Sequence, residues 1–233
     1  MPKTSWDNAL GNLAILAGFL FAIWAGAFDA WEAKALDQRF RIRGKAPISP
    51  DLVLVDISND AIEEFGPWPI PRHLHGMFID AAANLGARSI VYDINFSRAS
   101  DARSDGFLRE MIRAAGNVYF PLGLSPYEES YKPDSVQTPG LARHSLAPTP
   151  ADSSSISMSG LLSVPIPGLD SAARGMGFVN VVHDDDGVVR RTPLRMRCNA
   201  WVFPQLVMPV WEEKVGRQVP PSSLDATGSM LID

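Results

Sequence analysis

Two short apolar runs, each closed by an aspartate, set the frame for this chain: residues 52–56 (LVLVD) and residues 89–93 (SIVYD). Near-continuous apolar character over so few residues suits a strand covered on both faces. The segment between them has helical spacing. Pro71 opens it, and Leu74, Met77, Phe78, Ala81, Ala82 and Leu85 recur on the face expected to pack on a sheet. Gly86 supplies the stop. Strand, helix, strand is a β-α-β unit with a right-handed crossover. The fold class expected is therefore α/β: a mixed sheet around a central β-α-β unit, with a hairpin and a helix towards the C-terminus.

Ahead of this unit, residues 9–28 hold twenty residues without a charge, with Asn12 as the one strong polar interruption. As a helix they span about 30 Å, the thickness of a bilayer's hydrocarbon core. Trp6, with Trp24 or Trp31, falls near the two interfaces. The run is long for a cleaved signal peptide and no clear cleavage site stands after it, so it is read as a retained transmembrane helix after a flank of residues 1–8. Residues 29–43 continue as a juxtamembrane helix with four basic and three acidic residues. Its Trp31, Arg39, Arg41 and Arg43 are the interaction candidates, facing solvent or lipid headgroups. Basic residues on this flank do not favour export of the region C-terminal to the anchor, but a long domain translocates largely regardless of charge.

Residues 44–233 form the main domain. After the first strand (52–57), Ser58, Asn59 and Asp60 cap a short helix over 61–65. GPWPIPR (66–72) is rigid because each proline restricts itself and its predecessor; Trp68 within it is a lid over the sheet end or an exposed contact. A second strand (90–94) leads into a polar loop (95–105), then a helix over 106–115 with Phe107, Leu108, Met111 and Ile112 inward. The third strand, 118–122, is broken by Pro121. Residues 125–160 are rich in Pro, Ser and Gly, an excursion without firm secondary structure that Tyr127, Tyr131, His144 and Leu146 staple to the body. A short strand at 162–166 and a turn at 168–173 precede a hairpin: strand 177–183, turn Asp184-Asp185-Asp186-Gly187, strand 188–196. Residues 204–215 then form a helix kinked at Pro209 and ended by Gly216. The chain stops just after MLI, an incipient strand, which raises the expectation that the natural protein continues.

Chemistry is sparsely written. The net charge of −5 argues against a nucleic-acid surface, and a single cysteine, Cys198, excludes an internal disulfide framework. The Asp184–Asp186 turn lacks the alternating oxygens and late glutamate of a calcium loop, and His73 and His75 do not share a helix face. No nucleophile elbow, phosphate-binding glycine loop or dinucleotide fingerprint appears. No catalytic residue, metal ligand set or cofactor is assigned. What remains is the mouth beyond the strand ends, the usual crevice of an open α/β sheet. Asp56, Trp68, Arg72, Asp93, Asn95, Asp101 and Asp105 are the ligand-binding candidates there. Their carboxylates suit a structural network with Arg72, a hard cation, or a small-ligand pocket.

In order along the chain, VDI, WPIPR, GA followed by VYDINFS, and GFVN with DDDG, VRR and PL resemble the CHASE2 domain family over about residues 37–216. The resemblance implies an extracytoplasmic sensory input module of a bacterial membrane receptor, with the main domain in the periplasm or outside the cell. It also implies further membrane helices and a cytoplasmic output beyond this chain. Arg98 stands where many relatives carry an acid. Membrane lipid is the implied surroundings; an unidentified small ligand, a second copy of the chain and other membrane proteins are the implied partners. The alternative is a structural interaction subunit of a membrane complex without output activity. An exported enzyme using Asp56 and Asp93 would require both carboxylates open in a pocket.

Overall fold

A computed structural model describes residues 5–126, 139–153, 156–158, 160–217, 219, 224–225 and 229–231. The chain divides into two units, Met1–Asp56 and Ile57–Ile232, each taken by itself.

The first unit holds α1 (Ser5–Trp24) and α2 (Asp29–Arg43). The apolar run does not continue as one helix to residue 28. Gly26 takes φ +72, Phe28 caps α2, and the two helix axes bend by 65° across the break. Among the described residues no single helix is long and apolar enough to cross a membrane; α1 and α2 pass that test together, as a bent pair. The expected strand at residues 52–57 does not form. Leu52, Val53, Leu54 and Val55 are exposed, Leu54 at 91 %. A run becomes a strand only where a neighbour completes its ladder, and no ladder partner stands beside these residues among those described.

The second unit begins with α3 (Asn59–Phe65), capped by Ser58, whose Oγ accepts the Ala61 amide. Next come α4 (Arg72–Asn84), β1 (Ile90–Val91), α5 (Ala102–Ala115) and β2 (Val118–Ser125). β2 is buried along its whole length and lies between parallel partners, β1 and the later β5 (Gly175–Phe178). Its far end pairs antiparallel with β4 (Gly160–Ser163). Pro121 does not break it. The Val118 and Leu122 carbonyls serve β5 and that of Tyr119 serves β1, so Pro121 turns its missing N–H towards the β1 side, beyond β1's last pair at Tyr119.

The residues expected to form an unstructured excursion carry α6 (Pro139–Ala142) and β3 (Ser157–Met158) where they are described. His144 is a staple as expected: it is buried, with Nε2 2.9 Å from the Asp170 carbonyl. Leu146 bridges to Val202. Tyr127 and Tyr131 lie outside the described residues. Asp152 is a further tether, accepting from Arg195 Nε at 2.7 Å and from the Thr149 amide and hydroxyl. The Arg195 guanidinium and these amide and hydroxyl donors hold the Asp152 carboxyl down at about 2, against 3.8 ordinarily. A depressed native pKa means stability present above the unfolded value and lost as pH falls through the native one. Acid unfolding between about pH 4 and pH 2 should therefore weaken in Asp152→Asn, as the pH dependence of urea midpoints will show.

The expected 177–196 hairpin is corrected. After α7 (Leu169–Ala172), β5 ends at Phe178 in the parallel sheet. The Asp184–Gly187 turn does form, with buried Arg190 bonded to Asp184 and Asp186 at 2.9 and 2.8 Å. The strand after it, β6 (Arg191–Pro193), pairs with β9 (Ser229–Leu231) instead of β5. The hairpin is β7 (Arg195–Cys198) with β8 (Trp201–Pro204), turning on Asn199 at φ 54. α8 (Met208–Val215) starts later than expected, and Pro209 sits in its first turn, where a missing N–H costs nothing, rather than at a kink.

Phe120, Leu122, Met176, Phe178, Met196 and Phe203 join the sheet to the hairpin in one core. Gly177 permits that junction. A Cβ there would lie 2.6 Å from the Leu206 Cα and the Pro204 carbonyl oxygen, both backbone. We expect Gly177→Ala to destabilise the unit by about 2–3 kcal/mol, seen as a lower thermal midpoint.

Candidate functional site

The site forms where the first turns of α4 and α5 meet the loop after β1. Pro71 precedes α4, so Arg72 is its first helical residue. Asp101 caps α5: its Oδ1 accepts the Ser104 amide at 2.8 Å, and this bond lowers its pKa. Spacing alone starts α5 at Gly106; the cap lies earlier, which places Asp105 inside the first turn, buried. A carboxylate is favoured at that position by the helix dipole, whereas an arginine in the first turn of α4 is not. The two compensate one another.

Arg72 Nε lies 3.5 Å from Asp105 Oδ1, and both side chains are about nine-tenths buried. Arg72 Nη2 donates to the Arg98 carbonyl, and its guanidinium lies over the Phe96 ring, 4.6 Å from the centroid. Asp105 Oδ2 accepts the Ser100 amide at 2.9 Å. One ion pair thus holds the loop across residues 96–105 against the start of α4. Burial lowers the Arg72 pKa, and the Asp105 charge opposes that shift. Arg72 Nη1 and Asp105 Oδ1 are buried without a hydrogen-bond partner among the described residues.

His75, one turn on from Arg72, packs edge-on to Phe96 and Tyr92 at 5.1 and 5.9 Å. Its carbonyl accepts from the Tyr92 hydroxyl at 3.3 Å. Burial, then the nearby Arg72 charge, pulls the His75 pKa down, while burial raises that of Tyr92. The buried face of α4 is therefore Arg72, His75, Gly76 and Ile79. The expected inward residues Met77, Phe78 and Leu85 are exposed, Leu85 at 88 %. The helix is turned because it packs on α5, where Gly76 leaves room for the Phe107 ring.

Of the seven ligand candidates, the structure joins Arg72 to Asp105. Asp101 serves as a cap. Asn95 Nδ2 donates to Ser163 Oγ, tying the loop to β4. Asp93 is exposed just past β1, which ends at Val91 rather than residue 94. Trp68 is 53 % exposed and no lid. Asp56 is exposed at the end of the first unit, in no strand. Among the described residues no group of three or more His, Cys, Asp or Glu stands together to hold a metal. Cys198 is buried, and burial raises its thiol pKa.

His75, Phe96 and the Arg98 and Ser100 backbone belong to this cluster without having been sequence candidates. His75 was within reach of sequence reasoning, since residues three apart on a helix share a face. The loop contacts carried no such signal. The chain matches the CHASE2 domain over residues 13–232. No curated protein and no solved structure matches it.

Proposed function

The chain belongs to the CHASE2 domain family of sensor domains, and we propose that it is the extracytoplasmic input module of a membrane-bound signalling receptor. The family match, spanning nearly the whole chain, is the observation that carries this reading. The first unit supports the membrane part. Leu10, Leu13, Ile15, Phe19, Leu20 and Ile23 are all exposed on α1, and a helix apolar on every side needs lipid or a partner around it. In this reading α1 enters the bilayer and the second unit lies outside the cytoplasm.

The Arg72–Asp105 pair is the proposed switch. A ligand or partner group that binds Arg72 competes with Asp105 and frees residues 95–105 from the start of α4. Nη1, buried and without a hydrogen-bond partner among the described residues, is the donor such a group would take as the loop opens. Movement of α4 then passes back along the chain to α2 and α1.

The exposed apolar run of Leu52, Val53, Leu54 and Val55 favours a second reading, a structural subunit that builds a membrane complex. Native mass determination of the protein, extracted gently from its own membrane, separates the two. A chain dimer with one small bound species supports the sensor. A fixed stoichiometry with other membrane proteins replaces it with the structural reading.

A further inference from the structure

His75 sits inside the Arg72–Asp105 latch and takes no part in its ion pair. It is 6 % exposed. Its ring lies 5.1 Å from Phe96, the same ring that carries the Arg72 guanidinium at 4.6 Å, and 5.9 Å from Tyr92. Arg72 stands three residues earlier on the buried face of α4. Two basic groups thus share one aromatic surface away from water.

No group around His75 is placed to balance a second positive charge. On its own helix the charged neighbour is Arg72, and the segment before α4 brings the Ile70 backbone. The stretch after β1 brings the uncharged Phe96 ring and Tyr92, whose hydroxyl donates to the His75 carbonyl and is kept protonated by burial. The loop beyond brings the Arg98 carbonyl, which accepts from Arg72. From α5 come Phe107 and Leu108, beside Gly76, and Asp105, whose oxygens serve Arg72 and the Ser100 amide. Burial first, and then the Arg72 charge, disfavour the imidazolium, against a smaller opposing pull from the Ile70 backbone. Lifting the loop lets water reach the ring, and that penalty disappears.

We infer that the domain senses acid through His75: a proton taken up by this imidazole opens the latch and releases residues 96–105 from the start of α4. This rests on the reading of the Arg72–Asp105 pair as the switch, and it makes the proton a signal that acts there. The closed state holds His75 below the 6.5 of an ordinary imidazole, which the open state restores, so the open state binds the proton more tightly. Closure is at full strength above pH 6.5 and weakens as pH falls through the closed-state value. Ordinary carboxylates titrate below that window, near about 4. A domain outside the cytoplasm meets the pH of its surroundings directly.

The test is amide hydrogen exchange of the full chain in detergent between about pH 7.5 and about pH 5, corrected for the intrinsic exchange rate. It compares the wild type with His75→Gln, His75→Phe, His144→Gln and Arg72→Met. His144 is the other buried histidine, and burial lowers its pKa as well. In the wild type and in His144→Gln, opening of residues 96–105 should rise by up to about tenfold per pH unit below the ordinary imidazole value, with β2 still protected. In His75→Gln and His75→Phe it should stay level; the phenylalanine keeps a ring against Phe96 should glutamine weaken the core. The His75 Cε1 proton resonance follows the same event without any substitution, and its titration should coincide with the opening of the loop. A wild-type loop equally protected at both ends of the pH range would overturn the inference, and the latch reading would stand if Arg72→Met opens the loop throughout. Acid opening that persists in the His75 variants would assign the pH dependence to another group and overturn it too. A loop that stays closed in Arg72→Met would remove the latch and the inference together.

Discussion

Arg72→Ala is expected to cost the second unit about 3–5 kcal/mol, a large share of a small domain's stability. The reason is what it strands. Asp105 is buried, its Oδ1 has Arg72 as its ion-pair partner, and only Oδ2 has the Ser100 amide. Removing the guanidinium leaves a carboxylate in a low-dielectric site, and it also withdraws the donor to the Arg98 carbonyl. Replacing both members with apolar residues of similar size should cost much less, because no charge is then left unpaired. The measurement is a urea-denaturation cycle of Arg72→Met, Asp105→Leu and the double variant in the full chain. The double variant should be more stable than either single one. Hydrogen exchange should show residues 96–105 opening in both single variants while the core of β2 stays protected. A simple sum of the two losses would mean that the pair does not act as a latch.

Phe120→Ala should be as severe, about 3–5 kcal/mol, with Phe120→Leu well below it. Phe120 is fully buried in the middle of β2, with its ring centroid 5.4 Å from Tyr92 and 5.6 Å from Phe96. Phe96 in turn carries the Arg72 guanidinium. The cavity left by alanine therefore lies beneath the latch, and the loop loses the ring that supports it. Combined with Arg72→Met, Phe120→Ala should be non-additive by roughly 0.5–3 kcal/mol, because both act on Phe96. Additivity would place Phe120 in the core alone, with no tie to the site.

The local features of this fold were written in the chain. Ser58 as a cap, Pro71 before α4, Gly86 and Gly116 after their helices, and the Asp184–Gly187 turn are each set by a few neighbouring residues. Leu108 and Ile112 face inward on α5 as their spacing required. The family was also legible, because an ordered set of short motifs survives even where no single one is diagnostic.

The candidate site was legible only in part. Arg72 and Asp105 stood out as charges at helix starts near a strand end. Their pairing depended on where α5 begins, and Asp101 moved that start four residues earlier than Gly106. The Phe96 ring, the Arg98 carbonyl and the Ser100 amide entered the cluster through the path of a loop, which periodicity does not report.

What the sequence determined by itself is what short-range chemistry controls: helix ends, turns, the apolar character of α1 and the basic end of α2. What tertiary structure decided is pairing. LVLVD has strand composition and no strand, β6 joins β9 instead of β5, and α4 buries His75 and Gly76 in place of Met77 and Phe78. A cap or a turn is satisfied within a few residues of itself. A strand ladder or a packed helix face is completed by atoms far along the chain, and its stability depends on which partner reaches it.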